Sequence, residues 1–349
     1  MDHTTFGRHT GLRVSEYALG TATFGTGPGA GAGPEEAAAI FHAFAEAGGT
    51  FVDTADAYQG GTSETVLGGL LGADRDAFVL ATKYTRGSGE RTGAGAAGND
   101  RRTMVRSLEA SLRRLGTDYV DVYWAHLPDG LTPVAEIVAA FDDLVRAGKI
   151  LHGGLSNFPA WRVAAAATAA DLRDRARIVG IQVEYSLAER TAERELLPMA
   201  EAFGLGAALY GPLAGGLLTG KHRRGEDSLR KRRGAVREED AHTAAVLDEV
   251  LAVAQETGAG AAQVSVAWLR ARAARSATAF VPVVGPRTTA QLDAYLGALD
   301  LDLDDAHYER LERASAVALG TPHDPVAAAL PSILGGPGAR VRRHPVPVV

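Results

Sequence analysis

The chain has 349 residues, 46% hydrophobic and 22% charged, with a net charge of −6. That composition supports a large buried core, and the excess of acid leaves no basic footprint for nucleic acid. The lack of cysteine excludes disulfides, thiolate metal sites and a cysteine nucleophile, and no metal site is expected.

The first residues, Met1 to Arg8, lack the apolar stretch of a secretory signal, and no apolar run is long enough to span a bilayer. The expectation is a soluble cytoplasmic protein without a membrane partner; an oligomer is left open.

From the N-terminus, the stretch Gly11 to Tyr17 suggests a small hairpin closing one end of the fold. Apolar runs follow at Tyr17–Gly20, Thr50–Asp53, Phe78–Lys83, Tyr119–Ala125, Ile150–Ser156, Ile178–Glu184, Gly206–Tyr210 and Ala279–Val284. They are short, continuous and mostly rich in Val and Ile, as parallel strands buried on both faces require. Helical spacing appears between them at Pro34–Ala47, Thr103–Leu115, Val134–Ala147, Arg194–Phe203 and Ala244–Thr257. Alternation of eight such units predicts a (β/α)8 barrel over residues 1–320. Arg86–Arg102 and Lys221–Asp240 read as loops on the catalytic face, Thr26–Gly33 as a mobile loop, and 321–349 as a loop-like C-terminal extension.

An open doubly wound sheet is the competing fold. Gly25-Thr26-Gly27-Pro28-Gly29-Ala30 satisfies the relaxed dinucleotide pattern on paper, but the next helix starts only near Pro34. These glycines would not open a helix, so the match lacks its structural context.

Four residues carry the chemistry: Asp53, Tyr58, Lys83 and His126 lie at or just past the ends of the second, third and fourth runs. Taken singly, an aspartate there is a helix cap, a lysine is surface, and a histidine or tyrosine packs. Together they come from adjacent strands about 4.8 Å apart, so they can converge. A tyrosine donates a proton near neutral pH only if its anion is stabilised, which a lysine held by a carboxylate can do.

This constellation resembles the active site of the aldo-keto reductases, in the branch with bacterial and aryl-alcohol-type enzymes. The likeness extends through Gly20-Thr21-Ala22-Thr23-Phe24-Gly25, Asp53 to Tyr58, Ser63-Glu64, Leu67-Gly68 and Thr82-Lys83. It continues through Ser107 to Asp121, Gly148-Lys149-Ile150, Gly154 to Phe158, Gln182 to Ser186, Tyr210 to Lys221 and Pro282 to Leu292.

The resemblance implies NADPH-dependent reduction of a small-molecule aldehyde or ketone, with a sugar-linked or natural-product carbonyl among the candidates. Tyr58 would be the general acid, its pKa lowered by Lys83 paired with Asp53, and His126 would orient the carbonyl. Ser156, Asn157 and Gln182 would hold the carboxamide of the nicotinamide and Tyr210 would stack on its ring. Gly20, Thr21, Ala22 and Asp53 are further expected cofactor contacts. Gly211, Pro212, Leu213, Gly215, Leu217, Gly220 and Lys221 would wrap the pyrophosphate. Trp124, close to His126, is assigned with Tyr58 and His126 to the substrate pocket, core packing being the other reading of so large a ring.

Thr288 with Gln291 three residues on is also a helix-start signal in its own right. A helix N-terminus beside Arg287, after Gly285, is a ready anion site for a 2′-phosphate. Ala294 and Tyr295 stand where many relatives carry Glu-Asn, which loosens the expected preference for NADPH over NADH. Two other functions fit parts of the sequence: a Schiff-base aldolase acting through Lys83, and a regulatory subunit that holds the cofactor with little turnover.

Overall fold

Strands β1 (His3–Thr5) and β2 (Arg13–Ser15) pair antiparallel as an N-terminal hairpin, with His3 opposite Ser15. The structure, a computed structural model, describes residues 1–26, 31–89, 92–93, 95–223, 240–336, 340–341 and 346–347. Most of the expected Lys221–Asp240 loop, and the middle of Thr26–Gly33, therefore lie outside the described residues.

Eight parallel strands close into a barrel: β3 (Ala18–Gly20), β4 (Phe51–Asp53), β5 (Val79–Tyr84), β6 (Val120–Ala125), β7 (Ile150–Ser156), β8 (Ile178–Glu184), β9 (Gly206–Tyr210) and β10 (Phe280–Val284). The last pairs back onto the first through Val283 with Ala18 and Val284 with Leu19. The fold is a (β/α)8 barrel rather than an open sheet.

Period-two alternation sorts each strand between two cores. Ala18, Phe51, Ala81, Val122, Trp124, Ala208 and Val281 fill the barrel interior. Their neighbours Leu19, Val52, Leu80, Tyr123, Ile181, Leu209 and Val284 face the helices. Phe6, just after β1, plugs the N-terminal mouth with its ring 5.6 Å from Phe51 and 6.2 Å from Trp124. It fits because strands β8 and β9 carry glycine there: a Cβ on Gly180 or Gly206 would stand 2.6 or 2.8 Å from the Phe6 ring.

The helices between strands are α1 (Pro34–Glu46), α2 (Thr62–Leu71), α3 (Arg101–Leu115), α4 (Val134–Arg146), α5 (Ala160–Leu172), α6 (Leu196–Phe203), α7 (Ala241–Thr257) and α8 (Ala261–Ala274). After β10 come α9 (Thr289–Leu296) and α10 (Asp305–Ser315). Side-chain caps fix several starts: Asp100 accepts from the Thr103 amide at 3.0 Å, Asp240 from Thr243 at 2.7 Å, and Asp304 from His307 at 2.7 Å. Two of these aspartates explain why α3 and α7 start a few residues before the sequence-based limits.

The C-terminal segment departs from expectation. Instead of loop throughout, His323–Ile333 forms helix α11. The Val326-Ala327-Ala328-Ala329-Leu330 run has strong helix propensity, and Pro325 sits in the first turn, where its missing amide costs nothing. None of its side chains is buried, so no core periodicity announced it. Among the described residues, no helix is long and apolar enough to cross a membrane.

Candidate active site

At the carboxyl ends of β4, β5 and β6 the chain assembles a compact charged cluster. Asp53 and Lys83 both point into the top of the barrel, and Lys83 Nζ donates to Asp53 Oδ2 at 2.5 Å and to the Thr54 carbonyl at 2.7 Å. Beyond β4 the backbone still tracks β5, with the Thr54 amide donating to Ala81 and the Asp56 amide to Lys83. That guidance delivers Tyr58, at the head of a short 3-10 turn, above the lysine, with Nζ 4.8 Å from the ring centroid. His126 follows β6 and meets the Tyr58 ring edge-on at 5.9 Å.

The protonation states follow from burial and from these neighbours. Burial acts to lower the Lys83 pKa, but the Asp53 carboxylate and the Tyr58 hydroxyl outweigh it and hold the ammonium charged. For Tyr58, burial is the largest influence and drives the pKa up, against the downward pull of Lys83. The net direction is upward, so the expected lowering by Lys83 is present but overridden by desolvation. Burial, with Lys83 and Arg86 adding to it, pushes His126 down to about 3. The imidazole is therefore neutral throughout the physiological range.

A cleft of about 680 Å³ runs from Tyr58 and His126 along the barrel mouth. Ser156, Asn157 and Gln182 line its floor in one connected network. Asn157 Nδ2 donates to the His126 carbonyl at 3.1 Å and to Ser156 Oγ at 3.0 Å, while Tyr210 donates its hydroxyl proton to Asn157 Oδ1 at 3.0 Å. Gln182 Nε2 donates to Asp53 Oδ1 at 2.9 Å, joining this network to the lysine pair.

After β9, Gly211, Pro212, Leu213, Gly215 and Lys221 continue the wall. Gly215 and Gly216 adopt φ of +69° and +98°, so the backbone curls tightly, and a Cβ on Gly216 would stand 3.2 Å from Lys221 Nζ. Gly20 at the end of β3 and Ala22 just past it face the cleft, and Gly285, Arg287 and Gln291 complete the far end.

A model of the aldo/keto reductase family matches residues 17–316. The chain belongs to the aldo/keto reductase family. It is 37% identical over 317 residues to the uncharacterized oxidoreductase YrpG of Bacillus subtilis, covering 87% of this chain and 93% of that protein. It is 35% identical over 329 residues to the norsolorinic acid reductase stcV of Emericella nidulans, covering 92% and 83%. A probable voltage-gated potassium channel subunit beta of Oryza sativa is 33% identical over 280 residues, covering 77% and 83%. The chain is thus a family oxidoreductase, and the family typically uses NAD(P)H.

Not every expected residue of this aldo-keto reductase reaches the cleft. Thr21 is fully buried behind the wall, bonded through its amide to the Asp53 carbonyl at 2.9 Å. Leu217 and Gly220 shape the β9 turn from behind. Trp124 is corrected outright: it is 0% exposed and points into the interior core beside Phe6. Gly154 on the neighbouring strand makes room, since a Cβ there would meet the indole at 2.3 Å. Two inward positions on β6 precede the mouth, so the tryptophan lies one layer below His126.

Sequence reasoning also missed lining residues. Arg86 and Glu184 stand at or just beyond the ends of β5 and β8, where a strand-end rule could have found them. Ala262 comes from α8, far along the chain, and no local signal marks it.

The anion site near Arg287 is more occupied than expected. Thr288 caps α9, with Gln291 N donating to Thr288 Oγ1 at 3.3 Å, but the Gln291 side chain reaches the Arg287 amide at 2.9 Å. The Thr289 amide already donates to Glu36 of α1 at 2.5 Å. The helix terminus thus has an internal carboxylate, whereas the Arg287 guanidinium has no ion pair among the described residues.

One buried acid sits just behind the site. Asp56 is 2% exposed, and its pKa is raised to about 7 by burial and by Glu64, with Arg114 opposing. Glu64 is itself bonded to Thr82 and Arg114, so the guanidinium is already engaged. A carboxyl whose folded pKa exceeds its unfolded value loses stability as pH rises from about 4 to about 7. Asp56→Asn should therefore raise the melting temperature relative to the parent at pH 8 by more than at pH 4.5. Thermal melts at the two pH values check this, and a pH-independent difference would contradict it.

Proposed function

We propose that this chain reduces an aldehyde or ketone to an alcohol with NADPH. The observation that carries the reading is the Lys83–Asp53 pair at 2.5 Å directly beneath the Tyr58 ring, opening on a single cleft that runs to Arg287. The residues suit a pyridine dinucleotide. Left-handed glycines and Lys221 form a cationic curl for a pyrophosphate, and the phenol of Tyr210 is fixed by Asn157 so that its ring can stack. Ser156, Asn157 and Gln182 supply hydroxyl and amide groups for a carboxamide, and Gly20 and Ala22 offer close approach at and just past the end of β3. When bound, the cofactor supplies the hydride that reaches the carbonyl carbon.

The chain's own part is proton handling. Tyr58 keeps its proton at neutral pH and passes it to the carbonyl oxygen as negative charge develops there. The Lys83 ammonium then stabilises the phenolate left behind, and Asp53 keeps that ammonium charged. A neutral His126 beside Tyr58 orients the carbonyl oxygen without adding a competing acid.

The aldolase alternative fits poorly, because Lys83 is fully buried, charged and engaged by two acceptors. A Schiff-base lysine needs a free amine. The regulatory reading rests on the relative named as a channel subunit. Steady-state consumption of NADPH by a carbonyl panel decides between turnover and mere binding. Norsolorinic acid is the first natural compound to try, since relatives carry its name. Binding of NADPH with no turnover on any member would overturn the reductase reading.

Arg287 carries a separate expectation. NADH lacks the 2′-phosphate, so it gains nothing from a guanidinium placed to grip one. Arg287→Ala should weaken NADPH by about 1.5–3 kcal/mol, the range for hydrogen bonds to charged groups, and leave NADH nearly unchanged. Fluorescence titration of both nucleotides checks it. Equal losses would assign Arg287 to the fold or the pyrophosphate.

A further inference from the structure

Among the described residues, the cleft contains one cation that neither the proton relay nor the dinucleotide uses. Lys83 is consumed by Asp53, and Lys221 and Arg287 stand toward the dinucleotide end. Arg86 lies at the reacting end, on the cleft wall with Tyr58, Gln59 and His126. It is exposed, and among the described residues it makes no hydrogen bond or ion pair. Its charge is nevertheless felt at both Tyr58 and His126.

The backbone beneath it is held in an unfavourable conformation. Thr85 adopts φ of +102°, a region β-branched residues avoid. Such strain persists only where surrounding contacts enforce it. Here the contacts are visible: Thr85 Oγ1 donates to buried Asn99 Oδ1 at 2.7 Å and accepts from the His126 amide at 3.3 Å. Asn99 Nδ2 in turn donates to the Leu127 carbonyl at 2.8 Å. The chain is therefore turned sharply off β5 at the residue before Arg86, and the same bonds tie that turn to His126. Leu127, 38% exposed, adds an apolar surface on the cleft wall.

Resting on the carbonyl-reduction reading, we propose that Arg86 is a specificity-determining residue that anchors an oxyanion on the substrate. The preferred substrates are then carbonyl compounds bearing a carboxylate or similar acidic group, separated from the reacting carbon by an apolar spacer that meets Leu127. A planar guanidinium suits this task, because it can grip a carboxylate through two parallel hydrogen bonds. Its exposure makes the contact sensitive to salt.

The test uses equilibrium binding, so that it does not depend on turnover. The full-length protein, saturated with NADP⁺, is titrated calorimetrically with 4-acetylbenzoate and with its methyl ester, ketones that NADP⁺ cannot oxidise. The parent should bind the carboxylate about threefold to fivefold more tightly than the ester, as expected for an exposed charge-assisted contact. Arg86→Gln should remove that preference while leaving the affinity for the ester within about twofold, and Arg86→Lys, a point charge without the fork, should keep part of it. High salt should shrink the preference in the parent. A parent with no preference for the carboxylate, or an Arg86→Gln variant weakened equally toward both ligands, overturns the assignment. Reduction of 4-formylbenzoate by NADPH is measured alongside: an intact carboxylate preference without turnover would strike down the reductase reading and leave the anion site standing.

Discussion

Tyr58→Phe is expected to lose most carbonyl reduction, by about 10²–10⁴ in rate, while folding and binding cofactor as the parent does. The phenylalanine ring can keep the edge contact with His126 and the place above Lys83 Nζ, so packing is preserved. Only the hydroxyl is lost, and with it the group whose raised pKa keeps a proton available at neutral pH. His126 cannot substitute, since its own pKa near 3 leaves it without a transferable proton in that range. Water is the remaining donor, because the Lys83 ammonium is fully buried and already donates to Asp53 and to the Thr54 carbonyl. Steady-state rates with a reactive aldehyde, together with NADPH titrations and thermal melts, separate chemistry from binding and fold. A rate within a few-fold of the parent would remove Tyr58 from the proposed relay.

The same residues show how much of this site the sequence carried. The barrel was legible because each strand is a short apolar run and most intervening helices are alanine- or leucine-rich stretches. Ile150–Ser156, Ile178–Glu184 and Gly206–Tyr210 match their strands residue for residue. Convergence of Asp53, Lys83 and His126 was legible for the same reason, since strand ends on neighbouring strands must meet at one mouth.

What sequence alone did not convey depends on depth and on distant contacts. Trp124 and His126 are two residues apart, yet one fills the interior layer and the other lines the cleft. Only the interior packing against Phe6 and the space left by Gly154 reveal which is which. Net protonation was also hidden, because the desolvation of Tyr58 that outweighs Lys83 is a property of the assembled site. The partnering of the α9 terminus by Glu36 joins residues more than 250 apart in sequence, beyond the reach of any local motif. The C-terminal helix was missed for the opposite reason: it buries nothing, so it lacks the periodic apolar face by which helices are recognised.

Lys83→Met should be the second large effect, and it tests the electrostatic part of the relay. Reduction should fall, because the phenolate of Tyr58 forms without a neighbouring ammonium. In the direction of alcohol oxidation the phenolate must exist beforehand to accept the proton. Loss of Lys83 drives the Tyr58 pKa further up, so the rise of oxidation rate with pH should move to higher pH than in the parent. The deficit in that direction is then largest at neutral pH and narrows as the medium becomes alkaline. A parallel profile, lowered equally at every pH, would mean that Lys83 only positions its neighbours. Folding is a necessary control, because Asp53 is 2% exposed and would be left as a buried carboxylate without its cation. Breaking one side of such a pair typically costs about 3–5 kcal/mol, whereas removing both charges is often neutral. The double variant Asp53→Asn with Lys83→Met should therefore recover stability in thermal melts relative to Lys83→Met alone, and activity should stay lost. Recovery of both stability and reduction in the double variant would show that the pair is structural and that the proton relay has no need of the ammonium.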